Sequence, residues 1–122
     1  MYDHISLKVK EYKKSKRFYE KALAPLGIKL QGEYDGSTAG FGSGEATALW
    51  ISEGKPASTG LHVAFSAASR AAVGAFHTAA MEAGGRDNGS PGIRESYSPT
   101  YYAAFVFDPD GNNIEAVCHA KK

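Results

Sequence analysis

The chain has 122 residues and a mass of 13.0 kDa, room for one domain over residues 1–122 and none for separate catalytic and binding domains. Its 14 basic and 13 acidic residues leave a formal charge of +1, too little to gather a polyanion, so nucleic acid is not expected as a partner. No apolar run approaches the roughly 18 residues of a membrane-spanning helix, and the lone Cys118 excludes an intramolecular disulfide, so a cytoplasmic protein without a membrane partner is expected.

Residues 2–9 alternate, with Tyr2, His4, Ser6 and Lys8 on one face and Ile5, Leu7 and Val9 on the other, the period of a half-buried strand. Tyr12, Phe18, Tyr19, Ala22, Leu23 and Leu26 then recur at helical spacing, with lysines and glutamates opposite them, which reads as a solvated helix face rather than a basic binding patch. Gly27 supplies a left-handed helix end. Strands follow at about 28–34, 38–42 and 46–52, divided by Asp35-Gly36 and by Gly42-Ser43-Gly44-Glu45, both turn-prone.

The second half repeats the order. A strand is expected over 61–65, and a helix begins after Ser69 as N-cap, with Ala72, Val73, Phe76, Ala79, Ala80 and Ala83 inward and Gly84-Gly85 at its end. The pattern is indistinct near 86–97, where Asn88-Gly89-Ser90-Pro91-Gly92 reads as a loop at a pocket mouth. It firms at 101–107 and 112–118 around Asp108-Pro109-Asp110-Gly111. Sliding the chain so that His4 lies over His62 also lays Ile5 on Val63, Leu7 on Phe65, Phe18 on Phe76, Ala22 on Ala80, Leu23 on Met81 and Gly27 on Gly85, an internal repeat. The fold class is therefore α+β, with two β-α-β-β-β modules, the first at about 1–56 and the second at about 57–122.

The repeat sets His4 and His62 at matching places on the first strand of each module, and Glu115 stands on the last strand. Two imidazoles and a carboxylate occupy one face of a metal and leave the others for water or substrate. By strand parity His4 points away from the helix-packed side. His77, on a helix flank, and His119, in the terminal tail, have weaker claims.

Asp3-His4-Ile5-Ser6-Leu7-Lys8-Val9, Ser15-Lys16-Arg17-Phe18-Tyr19, Gly60-Leu61-His62-Val63-Ala64-Phe65 and Asp108-Pro109-Asp110-Gly111-Asn112-Asn113-Ile114-Glu115 resemble the glyoxalase / bleomycin resistance / extradiol dioxygenase superfamily, the vicinal-oxygen-chelate proteins. The likeness covers essentially the whole chain. It implies two βαβββ modules whose curved mixed sheets form an open cleft, often completed by a partner chain, so that a homodimer is expected. It also implies a divalent metal (iron, manganese, nickel, cobalt or zinc) held by His4, His62 and Glu115. Glu115 is then the candidate catalytic residue, as ligand rather than free base, and the substrate is a small molecule with adjacent oxygens.

Members of the glyoxalase I type are similar but have a further carboxylate on the last strand of module one. By parity the cleft face of Ala46-Thr47-Ala48-Leu49-Trp50-Ile51-Ser52 carries Ala48, Trp50 and Ser52 and no carboxylate, and recruiting Glu45 or Glu53 requires a bulge. Glyoxalase I activity is not expected, and lyase-like or dioxygenase-like chemistry fits the ligand set better. Trp50, Arg94, Tyr97 and Tyr101 are the candidate substrate pocket, where a planar or anionic ligand stacks on rings and pairs with Arg94. The alternative is a metal-free module that sequesters a small antibiotic-type molecule without transforming it.

Overall fold

A computed structural model describes residues 1–56 and 60–121. In chain order the elements are β1 (Ile5–Val9), α1 (Tyr12–Leu23), a 3-10 turn at Ala24–Leu26, β2 (Lys29–Tyr34), β3 (Thr38–Ser43) and β4 (Ala46–Glu53), then β5 (His62–Ser66), α2 (Arg70–Glu82), β6 (Arg86–Ile93), β7 (Tyr102–Phe107) and β8 (Asn113–Cys118). Sheet one runs β1-β4-β3-β2 and sheet two runs β5-β8-β7-β6. In both the first strand pairs in parallel with the last, and the other pairings are antiparallel. Each half of the chain is therefore a βαβββ module of the same topology.

The alternation expected for β1 is present from Ser6 on, with Leu7 and Val9 buried and Ser6 and Lys8 exposed, while Ile5 at the strand's start is exposed. α1 buries Tyr12, Ser15, Phe18, Tyr19, Ala22 and Leu23, which lie three or four residues apart and so share one stripe. α2 starts at Ser69, whose hydroxyl accepts from the Ala72 N–H at 3.0 Å, and buries Val73, Phe76 and Ala80. The two helices pack on each other, α1 also against sheet one and α2 against sheet two. A continuous core thus runs from Ile51 and Phe41 through Phe18 and Phe76 to Val106 and Ile114. Each sheet's outer face, opposite the helices, is left open between modules that share no strand pairing. Among the described residues, no helix is long and apolar enough to cross a membrane.

The two modules are fastened at the Asp108-Pro109-Asp110-Gly111 turn. Asp108 Oδ1 accepts from the backbone N–H groups of Asp110 (2.9 Å) and Asn112 (2.8 Å), and its Oδ2 accepts from Asn112 Nδ2 (2.9 Å) and from the Tyr19 hydroxyl of α1. Burial first, then the Asp108 charge, pushes the Tyr19 phenol well above its usual range, so it stays a donor. Asp110 accepts from the Lys10 N–H at 3.2 Å and from Ser15 Oγ at 3.4 Å, placing a carboxylate at the positive N-terminal end of α1. The turn that carries much of the family resemblance therefore docks one module's helix onto the other.

Two expectations change. Asn88–Gly92 is not a loop: it lies inside β6 and pairs with β7 through Gly89↔Phe105 and Gly92↔Ala103, with register shifts on either side of Gly89. An edge strand needs hydrogen bonds on one side only, so glycines and a proline are tolerated where periodicity is lost. The equivalence of Gly27 and Gly85 is also one of sequence rather than conformation. Gly27 (φ 79) closes the 3-10 turn, whereas Gly84 (φ 99) takes the left-handed conformation after α2. Gly85 is required by space instead, since a methyl group there would lie 2.4 Å from Val106 Cγ1 and 2.8 Å from Phe18 Cε1.

Candidate metal and ligand site

On sheet two the outer face is read from the strand register: His62 pairs with Asn113, Ala64 with Glu115 and Phe105 with Glu115. Ile114 and Ala116 point into the core, so Glu115 points outward. It is nonetheless only 1% exposed, because its neighbours close over it. His62 Nε2 lies 2.7 Å from Glu115 Oε1, and the Tyr101 hydroxyl donates to Glu115 Oε2. Burial first, then the hydrogen bond and charge of Glu115, pushes the Tyr101 phenol up to about 12, so it remains a protonated donor at neutral pH.

Aromatic rings surround this carboxylate. The His62 ring centroid is 6.1 Å from that of Phe105, and Tyr101 meets Tyr97 at 5.0 Å and His119 at 5.3 Å, both edge-on. The Arg94 guanidinium lies 5.3 Å from the Phe105 centroid. Of the four expected pocket residues, Tyr101 and Tyr97 thus stand beside Glu115 and His62, although Tyr97 is largely exposed, while Arg94 lies farther along the same sheet over Phe105.

The remaining candidates, His4 and Trp50, belong to sheet one. Leu49 and Ile51 face the core, so Trp50 faces outward, as parity predicts. Its ring lies against bare backbone: a methyl group at Gly40 would be 2.7 Å from Trp50 Cζ3. Tyr34 packs beside it, with ring centroids 5.9 Å apart. His4, just ahead of β1, shares a shallow depression with Asp3, Glu45, Ala46, Thr47 and Trp50, and its Nδ1 is 2.7 Å from Asp3 Oδ1. Among the described residues no three His, Cys, Asp or Glu side chains converge as a metal site within the chain. One chain therefore joins His62 to Glu115 and holds His4 on the other sheet.

The bulge that recruiting Glu45 would require is present. Phe41 pairs with Leu49 but Gly42 pairs with Thr47, so Ala48 is an extra residue and parity reverses before it. A methyl group at Gly40 would lie 2.8 Å from Thr47 Cγ2, which places Thr47 on the outer face with Trp50. Glu45, two residues earlier, consequently lines the His4 depression. Glu53 does not: its Oε1 accepts from the Tyr12 N–H at 3.1 Å, at the start of α1.

The sequence model of the Glyoxalase/Bleomycin resistance protein/Dioxygenase superfamily matches residues 2–116. The chain belongs to this superfamily. Among solved structures, a glyoxalase/bleomycin resistance protein from Albidiferax ferrireducens T118 is 31% identical, with 97% of this chain and 98% of that one covered and a TM-score of 0.81. A glyoxalase/bleomycin resistance protein/dioxygenase family enzyme from Burkholderia phytofirmans PsJN shares the fold at 12% identity, covering 97% and 98% of the two chains, with a TM-score of 0.74. So does a lactoylglutathione lyase from Agrobacterium tumefaciens, at 16% identity, 97% and 92% coverage and a TM-score of 0.69. No curated protein matches the chain.

For a glyoxalase-superfamily chain, the residues on these open faces that the sequence did not single out are Phe105 and Thr47, while Glu45, set aside there for want of a bulge, lines the His4 depression. Phe105 was accessible, because Ala104 and Val106 face the core and their neighbour must face outward. Glu45 and Thr47 had no signal, since a bulge at Ala48 leaves no mark in the residue types. Two donors, one nitrogen and one oxygen, stand 2.7 Å apart, with a third, His4, on the matching face of the other module, a set that suits a divalent metal.

Proposed function

We propose that this protein is a metal-dependent enzyme of the lyase-like or dioxygenase-like kind, working as a homodimer. His62 and Glu115 of one copy and His4 of a second copy hold the ion. The observation that carries this reading is the His62 Nε2–Glu115 Oε1 contact of 2.7 Å on an open sheet face. The separation suits two donors each about 2.0–2.2 Å from one ion. His4 starts β1 as His62 starts β5, so laying sheet one of a second copy beside sheet two brings the third donor in and covers both open faces.

A bound divalent ion would supply Lewis acidity toward two neighbouring oxygens of a small substrate. The chain's own residues set the conditions around it. Tyr101 donates to Glu115 Oε2 and so leaves Oε1 as the oxygen presented beside His62. Phe105 and Tyr97 wall the cleft on sheet two, Trp50 walls it on sheet one, and together they exclude water, while Arg94 lies at the margin. Metal-free capture of a small molecule is the second reading. It is favoured by the fact that His62 and Tyr101 already satisfy both Glu115 oxygens.

Mixing His4→Ala and His62→Ala chains tests the shared site. Each homodimer should lose its metal, while the heterodimer should regain one intact site of its two, read by elemental analysis of the separated species. Metal bound equally by the parent and by both single variants would reject the ligand set, and no recovery in the heterodimer would reject sharing. A parent without metal after loading leaves the capture reading.

A further inference from the structure

We infer that the cleft face of sheet two carries an anion subsite built on Arg94, so that the small molecule it takes has a carboxylate or similar anionic group at the end remote from the Glu115–His62 contact. This deepens the function proposed above and rests on it only for what binds the ligand's other end.

Arg94 is fixed on both sides of its Cα. Its N–H donates to the Tyr101 carbonyl at 2.8 Å, and its own carbonyl accepts from the Tyr97 N–H at 2.9 Å and the Ser98 N–H at 3.3 Å. The side chain then folds back over sheet two. Nη2 donates to the Ser90 carbonyl at 2.8 Å, and Cζ lies 5.3 Å from the Phe105 ring centroid. Strand β6 is bare beneath it. A methyl group at Gly89 would lie 3.0 Å from Arg94 Nη2 and 2.9 Å from Phe105 Cδ1, and one at Gly92 would lie 3.2 Å from Nη1. Two glycines in one edge strand weaken that strand; here they leave open the space that the guanidinium fills.

A held guanidinium has five N–H donors, and among the described residues its side chain makes one hydrogen bond and no ion pair with a carboxylate. The half-buried Lys16 differs, since it reaches Glu33 at 3.0 Å. Arg94 is half-buried, with one face against an aromatic ring, and its remaining donors form the planar fork that a carboxylate matches in two parallel bonds. The place is also right. Gly89 pairs with Phe105, and Phe105 with Glu115, so the subsite lies about two strand spacings, roughly 10 Å, from the Glu115 backbone. A short aromatic or aliphatic acid spans that distance along the Phe105 ring.

The test begins with the metal-free chain, titrated with phenylacetate and with its neutral analogue phenylacetamide and followed by backbone amide NMR. Phenylacetate should shift the Gly89, Ser90 and Gly92 amides saturably at millimolar concentration. Phenylacetamide, or phenylacetate with Arg94→Gln, should bind about tenfold more weakly or not at all, the loss expected when one charged hydrogen-bonding partner is removed. Arg94→Lys should recover part of the affinity, and an unchanged spectrum elsewhere shows that each variant is folded. Equal shifts with both probes, shifts that survive Arg94→Gln, or no saturable shift would overturn the subsite. The cobalt-loaded chain is then titrated with 4-ethylcatechol and 3,4-dihydroxyphenylacetate. A carboxylate preference in the first titration with neither catechol bound in the second upholds the subsite and rejects chelation. A preference for the acid that disappears in Arg94→Gln supports both.

Discussion

The two modules share a topology and divide the chemistry unequally. The outer face of module two is furnished, with a carboxylate 1% exposed between an imidazole and a phenol, and an arginine laid over a neighbouring ring. The outer face of module one has a half-buried tryptophan on bare glycine, an exposed histidine, and a glutamate brought beside them by a bulge. Duplication preserved what the core demands, namely Leu7 and Phe65 on first strands and Phe18 and Phe76 on the helices. The open faces, free of packing constraints, diverged. A structural repeat therefore predicts where ligands can stand and not which module supplies them.

The contrast is broken most directly at its two glutamates. Glu115→Gln should lower divalent-metal affinity by more than the roughly 10–100-fold typical of losing an outer partner, whereas Glu45→Gln should change it little, both read by calorimetric titration. Equal losses would mean that module one also supplies a carboxylate. Tyr101→Phe removes only the donor to Glu115 Oε2 and should weaken metal binding by about 10–100-fold with little change in thermal stability. At the seam between modules, Tyr19→Phe leaves the buried Asp108 short of one donor and should cost about 1–3 kcal/mol in urea denaturation, with metal affinity per folded chain unchanged.

The smallest expected effects compare the clips that hold each edge strand to its helix. Hydrogen bonds from Tyr12 and then Lys16 hold the Glu33 carboxyl below its usual range, and hydrogen bonds from His77 and the Gly89 N–H do the same for Asp87. A carboxylate whose folded-state pKa is depressed contributes stability that is fully present above its unfolded value and lost as pH falls through the folded one. Glu33→Gln and Asp87→Asn should therefore lower the melting temperature slightly at neutral pH, with the difference closing in acid. A difference that persisted there would locate the effect in packing. Both clips are exposed, so solvent screening keeps the change small.

Much of the fold was legible because hydrophobic period and turn chemistry act locally. The alternation at Ile5–Val9, the stripe through Phe18 and Phe76, the Ser69 cap and the Asp108–Gly111 turn each give their signal within a few residues. Strand β6 was not legible, because its course is set by pairing with β7 and its glycines answer to the guanidinium of Arg94 rather than to any period. The bulge at Ala48, which turns Thr47 outward and brings Glu45 to His4, is likewise fixed by register with β3.

By itself, then, the sequence determined two βαβββ modules, the superfamily, and the facing of His4, His62, Glu115 and Trp50, since strand parity and helix stripes are properties of neighbouring residues. Only the tertiary structure decided which of these meet. Pairing of β5 and β7 with β8 joins His62 to Glu115 and Tyr101 on one sheet, and His4 is held on the other, because pairings between residues remote in the chain are set by the whole fold and by no local pattern.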